Sequence, residues 1–457
     1  MRFLLIPLLL VSLVAGAQSP DPTLTAKDRR EIAEAFAKVV ETRYVLPDHA
    51  RNMAAAVRAQ INAGAYDNLT PASAFASAVL GHARAVNNDK HLRFQVTPNV
   101  IPIESDDEKE KRVGPQMARQ ARRANFGLAK AERLEGNIGY LDIEFFPRVK
   151  LAAPATDAAL AFLAETDALI IDARRHRGGE PEMVAYLVSH FVAPGTLINT
   201  IYTRDKTDPE LYHAAKIPSK PYSKKVYVLT SSKTFSGGEE LAYDLQALGR
   251  GKVYGEVTGG GAHPTGSFRI HERFMAFVPS SRSVNPITKT NWEGVGVKPD
   301  VAVPAADALR VAHSAALKDL AATTTDAPWR AELEKIAARL APAGDANPRQ
   351  ALDAWVESFN KHDAAAREKW LRENTDYSPD QAREVATIDQ NIRTAHGPFE
   401  VLRVVRTEGL MIEVEARHTG SGAGAKIEIT LDAKQPKTIA DVKLQPAEVK
   451  GNAGGPG

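Results

Sequence analysis

The sequence predicts an α/β layered core, preceded by a helical segment and followed by a small α+β domain. Three observations carry this. Short apolar runs, Ile138-Gly139-Tyr140-Leu141, Ala168-Leu169-Ile170-Ile171 and Val226-Tyr227-Val228-Leu229, alternate with helical segments after Pro181 and after Ser236, the pattern of strands covered by helices. Ahead of them, apolar residues recur at helical spacing from Thr25 to Asn88. Behind them, the Ala-, Pro- and Gly-rich stretch 341–348 separates a charged helix from a new pattern, as linkers do.

Taken in order, the chain opens with Met1-Arg2, an apolar run from Phe3 to Val14 and the small residues Ala15-Gly16-Ala17. This is the layout of a secretory signal peptide, cleaved after residue 17. The apolar run falls short of the roughly 18 to 20 residues that span a bilayer, and no second such run follows, so no stable membrane span is expected after cleavage. Within the helical stretch, Ile32, Phe36, Val39, Val40 and Tyr44 share one face, and Pro71 begins another helix through Val86. The charge-dense segment from Asp106 to Arg123 reads as a solvated helix or loop. After the linker come two helical segments, Pro348 to Asn374 and Ser378 to His396, then four strand-like runs beginning near Phe399, Met411, Lys426 and Lys437.

Composition narrows the function. The chain has 457 residues, 44% hydrophobic and 25% charged, which suits soluble globular protein of two or three domains. Lys plus Arg number 58 and Asp plus Glu 56, with no basic run interleaved with aromatics, so nucleic acid is not an expected partner. The absence of cysteine rules out disulfides and a lipid-modified cysteine, even in an oxidising compartment. A periplasmic or secreted destination fits the leader.

Candidate chemistry sits in four places. Thr234-Phe235-Ser236-Gly237-Gly238-Glu239-Glu240 follows an apolar strand and opens an amphipathic helix, so Ser236 stands at a strand-to-helix turn. The unpaired amides of the helix's first turn point toward whatever that serine attacks, although a serine there is more commonly an N-cap. Asp172 to Gly179 carries a buried strand into a basic loop with paired glycines, where backbone amides can approach a ligand closely. Asp89-Lys90-His91 places a histidine between a helix and a strand. Asn291 to Asp300 holds Glu293 beside flexible glycines. His82, His91, His176, His263 and His271 lack the spacing of a zinc helix, so no metal and no organic cofactor is expected.

Together these pieces resemble peptidase family S41, in the branch that includes tricorn protease and the interphotoreceptor retinoid-binding protein modules. The resemblance runs from about residue 30 to 310 and rests on Thr234 to Glu240, on Gly255-Glu256-Val257-Thr258-Gly259-Gly260-Gly261-Ala262-His263, and on Trp292-Glu293-Gly294-Val295-Gly296-Val297 with Pro299-Asp300. It implies a ClpP/crotonase-like catalytic core in which Ser236 is the nucleophile, His91 the base and Glu293 its orienting carboxylate. The amides of Gly237 and of Gly178 or Gly179 would form the oxyanion hole. His263 is an alternative base. The sequence also departs from its relatives: Gly261 stands where lysine-dyad members keep their base, Lys90 replaces the serine that precedes the histidine in tricorn-type sites, and His91 and Ile138 are too close for an intervening PDZ domain.

The organisation expected is a signal peptide at 1–17, a helical subdomain at 25–90, an S41-type domain at 91–312, a linker at 341–348 and an NTF2-like domain at 349–447, resembled through Ala351-Leu352-Asp353-Ala354-Trp355 and Phe359-Asn360-Lys361-His362-Asp363. The implied function is hydrolysis of peptide or ester bonds through a Ser-His-Glu acyl-enzyme, on a peptide or protein substrate. The alternative is a non-catalytic exported carrier of apolar ligands on the same fold. Fold analogy adds homodimerisation through the C-terminal domain.

Overall fold

The computed structural model describes residues 21–340, 347–361, 363–432 and 438–447. The expected signal peptide and residues 341–346 of the expected linker lie outside them. The chain divides into two units, residues 1–308 and 309–457.

The first unit opens with helices α1 (Ala26–Arg43), α2 (Pro47–Asn62) and α3 (Ala72–Arg84), then strand β1 (Arg93–Val96) and helix α4 (Asp106–Arg123). Next come β2 (Leu128–Leu134), β3 (Ile138–Ile143), α5 (Val149–Phe162), β4 (Ala168–Asp172) and α6 (Pro181–Val188). The remainder is β5 (Leu197–Thr203), β6 (Glu210–His213), β7 (Lys225–Thr230), α7 (Gly237–Ala247), β8 (Gly251–Gly255), β9 (Thr265–His271), β10 (Phe274–Pro279), β11 (Ser281–Val284) and β12 (Val301–Ala302).

The central sheet has the order β12-β8-β7-β4-β3-β2, parallel except for the β2–β3 pair. Parallel strands covered on both faces read as continuous apolar runs. Every residue of Ala168–Asp172 is buried, as is all of β7 beyond Lys225. Because β4 and β7 are neighbours and run the same way, the loops leaving their C-terminal ends emerge side by side, where α/β sheets place their ligands. That topology brings the Gly178-Gly179 loop onto Ser236.

The leading helices do not pack as a separate body. Ile32, Phe36, Val40 and Tyr44 are at most 1% exposed, and with Met53, Phe75 and Val79 they form one core with Leu92 and Phe94 and with Phe274, Ala276 and Val278 of β10. Those strands belong to a second sheet, β1-β10-β9. Residues 25–90 therefore share a core with strands from far along the chain. The segment from Asp106 forms α4, begun by a Ser105–Glu108 capping box, with Ala121 its one buried residue.

The second unit continues α8 (Ala305–Ala321) with α9 (Ala327–Arg339), α10 (Pro348–Lys361), α11 (Ala364–Asn374) and α12 (Pro379–His396). A sequential antiparallel sheet follows: β13 (Phe399–Glu408), β14 (Met411–His418), β15 (Gly424–Leu431) and β16 (Ile439–Ala447). The first of the two helical segments expected here is two helices. Asp363 takes an extended conformation and its side chain accepts from the Ala366 amide, which starts α11 afresh. Strict alternation of burial along β15 places Ile427 and Ile429 against Leu352, Trp355 and Phe359 of α10. The unit is α+β.

Candidate active site

Ser236 sits between β7 and α7 with φ +55° and ψ −122°. It is the residue that caps α7, with the Glu239 carboxylate on its amide, but an N-cap ordinarily takes the β region, so its backbone is not that of an ordinary cap. A non-glycine residue there costs about 1–3 kcal/mol, which the surroundings must impose. They do so through the β4 loop. The Phe235 amide donates to the His176 carbonyl at 3.0 Å, Thr234 Oγ1 to the Ala173 carbonyl at 2.8 Å, and Ser231 Oγ to the Arg174 carbonyl at 2.5 Å. Gly178, at φ +104°, lies so close that a Cβ there would stand 2.7 Å from the Cβ of Ser236.

The amides around the serine are mostly engaged. Gly238 donates to the Phe235 carbonyl, Glu239 to the Ser236 carbonyl, and Gly178 to Nδ1 of His176 at 3.0 Å. Gly237 and Gly179 make no amide hydrogen bond among the described residues, and a Cβ on Gly237 would lie 3.3 Å from the Gly179 nitrogen. Two adjacent free donors beside a serine are what an oxyanion hole needs. Of the two glycines considered in the β4 loop, Gly178 thus spends its amide on His176, leaving that of Gly179. His176 is fully buried, and burial lowers its pKa to about 3, so it is a neutral acceptor that shapes the loop.

Glu239, unassigned by the sequence reading although it stands in the quoted motif, ties this turn to the glycine-rich run. Its carboxylate accepts from the Ser236 amide at 2.8 Å, the Gly260 amide at 2.6 Å, the Gly261 amide at 2.8 Å and the hydroxyl of Thr258. Burial raises its pKa while those donors pull it down. Four donors around one buried carboxylate fix the relative position of Ser236 and the 258–261 loop.

Both candidate bases open into one cavity of about 200 Å³ with Ser236, Gly179 and Phe235. His91 packs at a tilt against Phe235, centroids 4.6 Å apart, and its Nδ1 is buried without a partner. Burial lowers its pKa to about 4. Asp89, His91 and Glu293 bring one polar atom each within 4.8 Å of one another. His263 is bonded more tightly: Nδ1 lies 2.8 Å from Asp89 Oδ2 and 3.6 Å from Glu293 Oε2. Asp89 also accepts from Tyr44 Oη at 2.8 Å and from the His91 amide at 2.9 Å. Its burial works against ionisation, but the His263 hydrogen bond and the neighbouring histidines hold its pKa below the usual range. Glu293 accepts from the Ala262 amide, and burial with the charge of Asp89 pushes it up to about 7. Asp89 and Tyr44 escaped the sequence reading because their partner, His263, is distant in the chain. A Cβ on Gly261 would collide with the rings of Phe235 and His91, so a lysine at that position and His91 in its present place exclude each other.

Residues 137–303 match the family model for peptidase family S41. That segment belongs to peptidase family S41. The chain is thereby a serine-type peptidase by class. The S41 segment holds Ser236, the Gly178-Gly179 loop, His263 and Glu293, while Asp89 and His91 precede it. Among solved structures, a Parabacteroides merdae protein described as a peptidase is 19% identical over 60% of this chain and 90% of its own, with a TM-score of 0.45. The photosystem II D1 C-terminal processing protease is 15% identical over 61% and 93%, at 0.40. Tricorn protease is 13% identical over 62% and 35%, at 0.38.

Proposed function

We propose that the protein is an exported serine peptidase that works through an acyl-enzyme. The observation that carries this is Ser236, held at positive φ beside the free amides of Gly237 and Gly179 and opening into one cavity with two histidines. In the proposed reaction His91 takes the hydroxyl proton as Ser236 Oγ attacks the scissile carbonyl, and the two amides receive the negative charge on its oxygen. The protonated histidine gives its proton to the leaving amine, and water then releases the acid by the same steps in reverse. Glu293 supplies negative charge near the imidazolium. The leader at 1–17 supports export to the periplasm or exterior.

A second reading of the base rests on the 2.8 Å contact between Asp89 and His263. A carboxylate at Nδ1 leaves Nε2 as the acceptor, the orientation that a base requires. A carrier of apolar ligands has less support, since the wall of the cavity includes Lys90, Arg93, Arg177 and Glu240. The test is labelling with a fluorophosphonate. Wild type is expected to label at Ser236 and cleave peptides, and Ser236→Ala to do neither while melting at the same temperature. A folded Ser236→Ala protein with full activity would sink the proposal.

A further inference from the structure

One side chain in the catalytic cavity has no part in the reaction just described. Glu240 lies in the first turn of α7, its amide donating to the Ser236 carbonyl at 2.9 Å, and both residues line the cavity. Glu240 is 4% exposed. Its Oε1 accepts from Asn199 Nδ2 at 2.7 Å. Its Oε2 makes no hydrogen bond among the described residues, yet it is not one of the sealed, unpartnered buried atoms, so it keeps an accessible surface. The cavity is where that surface opens.

Behind Glu240 stands a second acid. Asp244, one turn further on, is wholly buried; Oδ1 accepts from Asn285 Nδ2 at 2.9 Å and Oδ2 has no partner. No lysine or arginine pairs with either carboxyl among the described residues, and the charge that acts on Asp244 is that of Glu240. Buried acids are ordinarily paired with a cation or hold a proton. Burial pushes Glu240 up to about 8 and Asp244 well above its usual range. With no cation beside them, both therefore hold protons at neutral pH, and a cationic group bound against Glu240 is what would draw that carboxyl into its ionised form.

The remaining wall suits a long side chain with a charged tip. Trp292, 1% exposed, and Ala262 offer apolar surface to an alkyl stem. The cations of the cavity are disposed differently. Lys90 and Arg177 are solvent-exposed, with Lys90 Nζ bonded to the Gly259 carbonyl at 2.5 Å, and the Arg93 guanidinium lies over the Phe277 ring at 4.7 Å. None of them is bonded to Glu240. About 200 Å³ is room for one side chain of this kind.

We infer that Glu240 selects a substrate whose side chain in this cavity is basic, lysine or arginine. This rests on the peptidase reading above. The experiment compares internally quenched peptides that differ at the residue carrying the scissile carbonyl: arginine, lysine, the neutral isosteres citrulline and norleucine, and glutamate. For wild type, kcat/KM for the basic residues should exceed that for their neutral isosteres by roughly 100-fold, the order seen when a buried charge pair loses one partner. Glu240→Gln should cut that ratio at least tenfold, and Glu240→Asp should restore part of it. Equal rates for arginine and citrulline in wild type overturn the inference even if Glu240→Gln fails to fold. So does a preference for glutamate, which would move selection to Lys90, Arg93 and Arg177. Fluorophosphonate labelling of the same samples separates the two failures: labelling and cleavage without basic preference defeat this inference alone, whereas no labelling and no cleavage of any peptide defeat the peptidase reading with it.

Discussion

Replacing His91 by glutamine removes a basic nitrogen while keeping a similar shape, and the structure sets what should follow. Burial holds His91 at about 4 rather than near 6.5, a bias of roughly 3 kcal/mol against the imidazolium that the reaction must form. Catalysis through His91 therefore needs nearby negative charge, and Asp89 and Glu293 are placed to give it. A base must be neutral, so kcat/KM should rise with pH through about 4 and be level with respect to His91 above about 6. Glu293, at about 7, has to be ionised to help, which adds a limb near 7 that Glu293→Gln removes. Loss of the base typically costs 10²- to 10⁴-fold, about 3–5 kcal/mol of barrier. The assay is kcat/KM on a quenched peptide from pH 4 to 9, with the rate of fluorophosphonate labelling alongside. If His91→Gln stays within about threefold of wild type while His263→Gln and Asp89→Asn are inactive, the base is His263 and the assignment to His91 is wrong.

Two further outcomes follow from groups that support the site. Glu239→Gln keeps the size of the side chain but leaves one good acceptor oxygen for four donors, so at least one buried donor is orphaned at roughly 1–3 kcal/mol; the melting temperature should fall and kcat should drop with KM less affected, whereas unchanged kcat would show that the turn does not depend on this carboxylate. His176, held neutral at about 3, makes the unfolded chain the better proton binder below 6.5, so its contribution to stability is complete above pH 6.5 and is lost as pH falls, by roughly 3 kcal/mol at pH 4. Glu240 and Glu293 titrate with the opposite sign, so the measurement is the difference in unfolding free energy between wild type and His176→Gln across pH 4 to 7. A difference that does not change with pH would refute the buried neutral assignment.

The sequence by itself determined the elements and the setting of Ser236. Period-two and period-3.6 patterns are local, so α1, α3, α7, the buried strands β4 and β7 and the four C-terminal strands were legible from their own residues. The Ser236 turn was legible too, because an apolar strand, a serine and two glycines in succession describe it. The split between α10 and α11 was missed because Asp363 resembles any other helical acid until its own backbone leaves the helix.

Tertiary structure alone decided which groups meet. Tyr44, Asp89 and His263 come from three distant stretches, and no spacing in the chain announces a hydrogen bond between residues so far apart. The same holds for Glu239, whose ligands on the 258–261 loop depend on β7 and β8 lying side by side. It also holds for the amides of the β4 loop: that Gly178 donates to His176 while Gly179 stays free is a matter of backbone angles, which two glycines leave open. Burial is the remaining term that sequence does not carry. His91 and Glu240 are ordinary titratable residues in the chain, and the low-dielectric walls built by the fold are what make one a weak base and the other an acid without a counter-ion.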